Sequence, residues 1–410
     1  NLFDLLHFDF YDDKERQKAN SNADAIIRHA KQNPRDLDLI YTFSRTNVVH
    51  RCCPLHQAIR LGLGVGVIDA LSSPVALKLK CEGRTALHLA FDYVLGNPIG
   101  PQNRATWDVV RLLMKKHPDP ARERSDEGDT LLHLACGNRA PLDIFSALLS
   151  NWPDAAKEKN TSGMTPLHTA CESDAQLDIL SSLLRCWPDA AKERDNRNRT
   201  PLHFACEWYC SCDFISLLLS AWPDAVEQKD SDGYTPLHYA CGEEASYDAV
   251  SLLMKCWPDA VYEEESDDGL TPLHIAFINE LSLDILTLLL DKWLDVSENR
   301  KTDRVESLIN NFGANTGERE KLLLNLSFLF DEETRQIGDE FSPTEIIRYF
   351  ISINWLNGVL MVVNMYPILT KTLGLYTNIM GDFLSAVGIR CSLTTMSTVI
   401  QNEQDLLENV

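Results

Sequence analysis

The chain has 410 residues, 44% apolar and 24% charged, the proportions of an ordinary folded protein. Its formal net charge of −22 repels polyphosphate, which argues against a nucleic-acid partner unless a strong basic patch exists. The 12 cysteines do not make the framework of a short secreted domain, and several recur in register with a repeat. They read as small buried hydrophobes in a reducing compartment, cytoplasmic or nuclear.

In chain order, Asn1 to Phe10 carries acids and no basic residue, so it does not read as a signal or transit peptide. Ala23 to Ala30 reads as a helix able to cap a stack, and residues 1–50 as a helical cap. Pro54-Leu55-His56, Thr85-Ala86-Leu87-His88 and Thr130-Leu131-Leu132-His133 are weak copies of a later motif. The first copy is degraded, because Gly62, Gly64 and Gly66 weaken its helices. The second carries an insertion around Asn97-Pro98-Ile99-Gly100-Pro101, read as a loop between helices.

The motif is clear at Thr165-Pro166-Leu167-His168, Thr200-Pro201-Leu202-His203, Thr235-Pro236-Leu237-His238 and Thr271-Pro272-Leu273-His274, at intervals of 35, 35 and 36 residues. A second block keeps pace: Trp-Pro-Asp-Ala begins at Trp152, Trp187, Trp222 and Trp257. Each unit reads as two antiparallel helices. Thr caps the first, Pro suits its first position, and the Trp-Pro step stops the second. One unit cannot bury its apolar face alone, so neighbours must stack. The four tryptophans are expected to be buried where repeats meet.

Thr-Pro-Leu-His-x-Ala, a following leucine-rich helix and a closing Asp-x-x-Gly turn resemble the ankyrin repeat. The resemblance covers residues 51–300, about seven repeats at a period slightly longer than the family's. It implies an all-α ankyrin-repeat solenoid of helix-turn-helix units with β-turn fingers, plus helical caps. It also implies a scaffold or adaptor that binds protein in a concave groove. No phosphate-cradling Gly-rich loop, nucleophile elbow, zinc-protease helix or kinase motif set appears, so no enzymatic activity, catalytic residue, cofactor or metal is expected, and the chain is expected to be a monomer. The groove positions carried over are Met164, Thr169, Glu172 and Ser173; Arg199, Phe204, Glu207 and Trp208; and Tyr234, Tyr239, Gly242 and Glu243. Of these, Met164, Thr169, Arg199, Phe204, Trp208, Tyr234 and Tyr239 are the expected partner-binding residues. Phe204, Trp208, Tyr234 and Tyr239 would gather on one side of two adjacent repeats, beside Arg199.

Residues 301–320 read as a polar linker and 321–410 as a helical region. Ser342 to Thr370 forms a remote helix pair there, ended by Tyr366-Pro367, and Asp382 to Leu407 supplies closing helices. Tyr349 to Thr370 holds no charged residue, so a membrane-tethered chain is the first alternative. An enzyme with its site in the C-terminal region is the second. His133/Cys136, His168/Cys171, His203/Cys206 and His238/Cys241 share helix faces, and Cys210 and Cys212 join His203 and Cys206. The structural reading of this His outweighs zinc. Basic residues crowd the earlier fingers: Arg122, Arg124, Lys157, Lys159, Lys192, Arg194, Arg197 and Arg199. Glu263-Glu264-Glu265-Ser266-Asp267-Asp268 fills a later finger. A dipolar finger edge that steers a partner is expected.

Overall fold

A computed structural model describes residues 1–9, 12–45, 48–95, 103–117, 122–242, 246–310, 317–331 and 342–366. The insertion around Asn97–Pro101, Glu243, Pro367 to Thr370 and Asp382–Leu407 lie outside the described residues. The chain divides into two compact units, Asn1–Ser231 and Asp232–Val410.

In the first unit the regular repeats are helix pairs: Leu131–Gly137 with Leu142–Asn151, Pro166–Glu172 with Leu177–Cys186, and Pro201–Glu207 with Cys212–Ala221. The middle pair shows why the sequence folds this way. Thr165 is extended (φ −89°, ψ 165°), and its side chain caps the helix while His168 reaches back to the Thr165 N–H. Pro166 occupies the first turn, where no hydrogen bond is lost. The helix stops because Asp174 turns left-handed (φ 49°) and the Ala175 N–H closes onto the Ala170 carbonyl at 2.9 Å. Arg139 and Tyr209 repeat this turn, with φ of 51° and 54°. Gly62 also occupies it, and Gly64 caps the next helix. The expected degradation of the first copy is therefore corrected for these two glycines: they build the turn between helices Pro54–Arg60 and Val65–Leu71.

The second helix ends at Trp187 (φ −147°, ψ 92°), whose N–H still reaches the Leu183 carbonyl at 2.8 Å. Pro188–Lys192 then makes one 3₁₀ turn that buries Ala190 and Ala191. The same turn follows Trp152 and Trp222, with Ala155 and Ala156, then Ala225 and Val226, inside. Trp152, Trp187 and Trp222 are only half-buried. The expectation of buried rings is corrected: the small residues after each Trp-Pro step are the buried ones, and the indoles stay partly exposed. Core contacts come from Leu167, Ala170, Cys171, Ile179 and Leu183, with Phe145 and Phe214 in neighbouring repeats.

Upstream, helix Ala23–Gln32 is followed by a 3₁₀ turn, Pro34–Asp38, entered at Asn33 as the others are entered at Trp. The antiparallel hairpin Tyr41–Arg45 and Val48–Cys52 then takes the place of a finger. The stretch expected as a purely helical cap thus ends in strands.

The second unit holds Pro236–Ala240 with Tyr247–Cys256, and Pro272–Ile278 with Leu283–Trp293. Trp257 is half-buried like its counterparts. Beyond them, the stretch read as a linker contains helix Thr302–Asn310, which packs against Glu318–Phe330. Helices Pro343–Ser352 and Leu356–Met365 form a further pair, joined by Asn354 (φ 57°) and a Trp355 N–H to Phe350 carbonyl bond of 2.8 Å. This is the inter-helix turn of the repeats. The Trp355 indole donates to Asp291 at 2.7 Å, and Tyr349 donates to the Glu318 carbonyl at 2.7 Å. The charge-free run from Tyr349 is therefore broken into two short helices. Among the described residues, no helix is long and apolar enough to cross a membrane.

A candidate partner-binding face

Each repeat has a finger end, where the first helix begins, and a turn end, where it stops. The finger end is held by backbone. His168 Nδ1 accepts from the Thr165 N–H at 3.1 Å and lies 2.9 Å from its hydroxyl; Nε2 donates to the Arg199 carbonyl of the next repeat at 3.2 Å. His133 does the same to the Met164 carbonyl at 3.0 Å, and in the second unit His238 does so to that of Leu270 at 3.2 Å. Burial lowers His133 and His168, the latter to about 4, which keeps both rings neutral. With both nitrogens bonded to backbone groups, no lone pair remains for a metal. Cys136 and Cys171 are buried apolar thiols raised by the same burial. Cys210 donates to the Cys171 carbonyl at 3.1 Å, which is a contact between turns.

The finger cations are largely spent inside the protein. Arg124 donates to the Lys159 carbonyl at 3.0 Å, Lys159 to that of Arg194 at 2.8 Å, and Arg194 to that of Lys229 at 3.3 Å. Arg124 also pairs with Glu158, and Lys159 with Glu193 at 2.8 Å. Lys157 and Lys192 pair with Asp154 and Asp189 within their own 3₁₀ turns. Fingers also join directly: Asn196 N–H reaches the Ser162 carbonyl and Ser231 N–H that of Arg197, at 3.0 and 2.9 Å. The basic half of the expected dipolar edge is thus a row of staples between successive fingers. In the second unit the Glu265 carboxylate accepts from the Asp267, Asp268 and Leu270 N–H groups, so one acid of that finger holds the turn.

The groove residues separate into three kinds. Met164, 9% exposed, and Phe204, 2% exposed, are core, which corrects their assignment as contact residues. Phe204 lies edge-on to the His168 ring, with centroids 5.4 Å apart, and supports Arg199 from below, the guanidinium carbon 4.1 Å from its ring centre. Arg199 and Thr169 are half-buried. Arg199 is fixed by Asp195 and Glu207, each at 3.0 Å, while Asp195 also accepts the Arg197 and Arg199 N–H groups. Partial desolvation lifts the carboxyls of Glu172 and Glu207 above their ordinary value, against the pull of Arg199. Trp208 is different again. It is 48% exposed and caps the far end of helix Pro201–Glu207, about 10 Å of helix from the finger. In the second unit Tyr234 and Tyr239 are half-buried and pair with each other at 5.7 Å, and Tyr234 lies edge-on to His238 at 5.4 Å. Tyr234 and Tyr239 hold the two repeat positions that Arg199 and Phe204 hold in the first unit.

Sequence reasoning passed over the turn end. Leu142, Leu177 and Tyr209 are exposed there. The signal was present: Leu142-Asp143, Leu177-Asp178, Cys212-Asp213, Tyr247-Asp248 and Leu283-Asp284 each open a second helix. An apolar residue at a helix start reads as core unless the capping geometry is known.

Residues 102–190, 142–229, 174–262 and 212–302 match the family model for ankyrin repeats. The capped helix pairs, left-handed turns and bonded fingers are that family's unit, and the chain is an ankyrin-repeat protein. Such repeats generally mediate protein–protein interaction. One solved structure, the ankyrin repeat domain of Bcl-3, described as a unique member of the IkappaB protein family, aligns with 58% of this chain and 97% of its own at 26% identity and a TM-score of 0.41. Comparison with curated proteins gives no match.

Proposed function

We propose that the protein is a non-enzymatic scaffold that binds another protein through the first-helix face of its repeats. The contact set is Thr169, Arg199 and Trp208 in the first unit, and Tyr234 and Tyr239 in the second. Phe204 and Met164 act as the buried floor.

The observation that carries this reading is the mounting of Arg199. An arginine stacked on a buried ring and gripped by two carboxylates has already lost its rotamer freedom, so a partner orders it at little entropic cost. Arginine and large aromatics are the types enriched in binding hot spots. The net charge of −22 favours a protein partner over nucleic acid. The mostly buried cysteines among the described residues fit a reducing compartment, cytoplasm or nucleus, and we take the chain to act as a monomer.

The test is a crosslinking pull-down from native extract with the full chain, Trp208→Ala and Tyr239→Ala. Either substitution is expected to weaken retention of the main partner by about 2 kcal/mol or more with the fold intact. Undiminished retention by both variants would reject the face.

A further inference from the structure

The turn end of the first unit carries features that its packing leaves unused. Neighbouring turns are bonded into a continuous edge: Ser173 donates to the Cys136 carbonyl at 2.9 Å, and Cys210 to that of Cys171 at 3.1 Å. The second helices Leu142–Asn151, Leu177–Cys186 and Cys212–Ala221 pack side by side, so Leu142, Leu177 and Cys212 stand at the same end of three adjacent helices. At helix spacings of about 8–10 Å this row spans roughly 20 Å. Leu177 is 39% exposed and Tyr209 40% exposed, with Trp208 beside it.

Two further facts bear on what covers this edge. Tyr209 holds the left-handed turn position at φ 54°, which strains a bulky side chain; Gly62 fills that position without strain in another repeat. Its ring is nevertheless held out at the surface. The unpaired charges beside the apolar row are acidic, and the cations Arg111 and Arg139 are paired with Asp143 and Asp174. Asp178 and Asp213 are solvent-facing and sit directly beside Leu177 and Cys212. Asp178 and Asp213 lie in the first turn of their helices, where the helix dipole favours them without neutralising them.

We propose that this edge, formed by Leu142, Leu177, Trp208 and Tyr209 with Asp178 and Asp213, is a second docking surface for an amphipathic segment of another protein whose apolar side chains are flanked by lysine or arginine. The row matches a helix of about 15 residues, roughly 22 Å long. Leucines on such a helix cover Leu142, Leu177 and Tyr209, and its cations meet the aspartates. The surface lies at the opposite end of the first helices from Arg199, so it is separate from the groove except at Trp208, which borders both.

The test uses the full chain and two labelled peptides of about 15 residues. Both carry leucine on one helical face; one carries lysine beside it and the other glutamate. Binding is read by fluorescence anisotropy at about 0.15 M salt, where surface charge is screened beyond about 8 Å. The lysine peptide is expected to bind and the glutamate peptide to fail. Leu177→Ser and Tyr209→Gly should each weaken binding by about tenfold, and Asp178→Lys with Asp213→Lys by more. Cooperative thermal melts within a few degrees of the parent show that these surface variants remain folded, the Asp178→Lys and Asp213→Lys changes lowering the midpoint slightly because they oppose the helix dipole. Tyr239→Ala, in the groove, should leave the peptide affinity unchanged. No binding, equal binding of both peptides, indifference to Leu177→Ser and Tyr209→Gly, or loss on Tyr239→Ala would each overturn the proposal. The last outcome would at the same time leave the groove reading intact.

Discussion

The two ends of the repeats spanning 158–222 differ in how they spend their polar groups. At the finger end His168 links two repeats through backbone, Lys159 reaches the next finger's carbonyl, and Asn196 bonds to Ser162. Nearly every charge there has an internal partner. At the turn end the backbone is also closed, but Leu177, Asp178 and Trp208 face solvent. The finger end is therefore a source of rigidity; on the first-helix face a partner meets side chains already held in place, such as Arg199, and at the turn end it meets unpaired ones. Charge alone misleads on this point: the basic fingers look like a steering surface until their hydrogen bonds are traced.

The largest effect should come from breaking the finger end. His168→Ala leaves the Arg199 carbonyl and the Thr165 N–H without buried partners, at a cost of about 3 kcal/mol in a urea melt at neutral pH. A change under half that would mean water replaces the ring.

Acid should act on the same end. His56, His88 and His168 are lowered to about 4 by burial, against 6.5 in an open chain. The unfolded chain then binds more protons, so the stabilisation is present above pH 6.5 and is lost as pH falls toward 4. The slope is about 1.4 kcal/mol per pH unit for each ring, or ~2 kcal/mol per ring between pH 6.5 and 5. The check is the acid limb of stability, which should be shallower by one ring's share in His168→Ala than in the parent.

Trp222→Ala probes the boundary between the second helix and the finger. A half-buried indole should contribute about 1–2 kcal/mol, less than a core ring such as Phe214, where about 3–5 kcal/mol is expected. Equal losses at the two positions in matched urea melts would show that the tryptophan row, and not the alanines beneath it, carries the junction.

The smallest stability effect sharpens the turn end. Tyr209→Gly relieves a left-handed bulky residue and removes exposed apolar area, so the melt should stay level or gain about 1 kcal/mol. A clear loss would mean the ring packs in a way its exposure does not suggest.

Much of this fold was legible because its signals are local. Thr165-Pro166-Leu167-His168 is at once a cap, a first-turn proline, a core residue and a repeat bridge, so four readings agree on one helix start. The 3₁₀ turns were not legible: Pro188-Asp189-Ala190 reads equally as a loop, and only stacking shows that Ala190 and Ala191 are buried. Tryptophan drew attention by size, while the buried work fell to its small neighbours. Phe204 and Met164 were misplaced for a related reason. Family positions give the face of a helix but not the depth of a side chain, and Arg199 lying over Phe204 seals it. Helix Thr302–Asn310 was hidden by its polar sequence, because one apolar edge, Val305 and Leu308, suffices to seat it.

The most direct test of the binding face is site-specific photocrosslinking in native extract. A photoreactive phenylalanine replaces Thr169, Tyr239 or, at a finger tip, Ser162, one at a time in the full chain. The expected result is a common protein adduct from positions 169 and 239 and none from 162. An adduct from 162 alone would contradict the first-helix face and return the fingers to the centre of recognition.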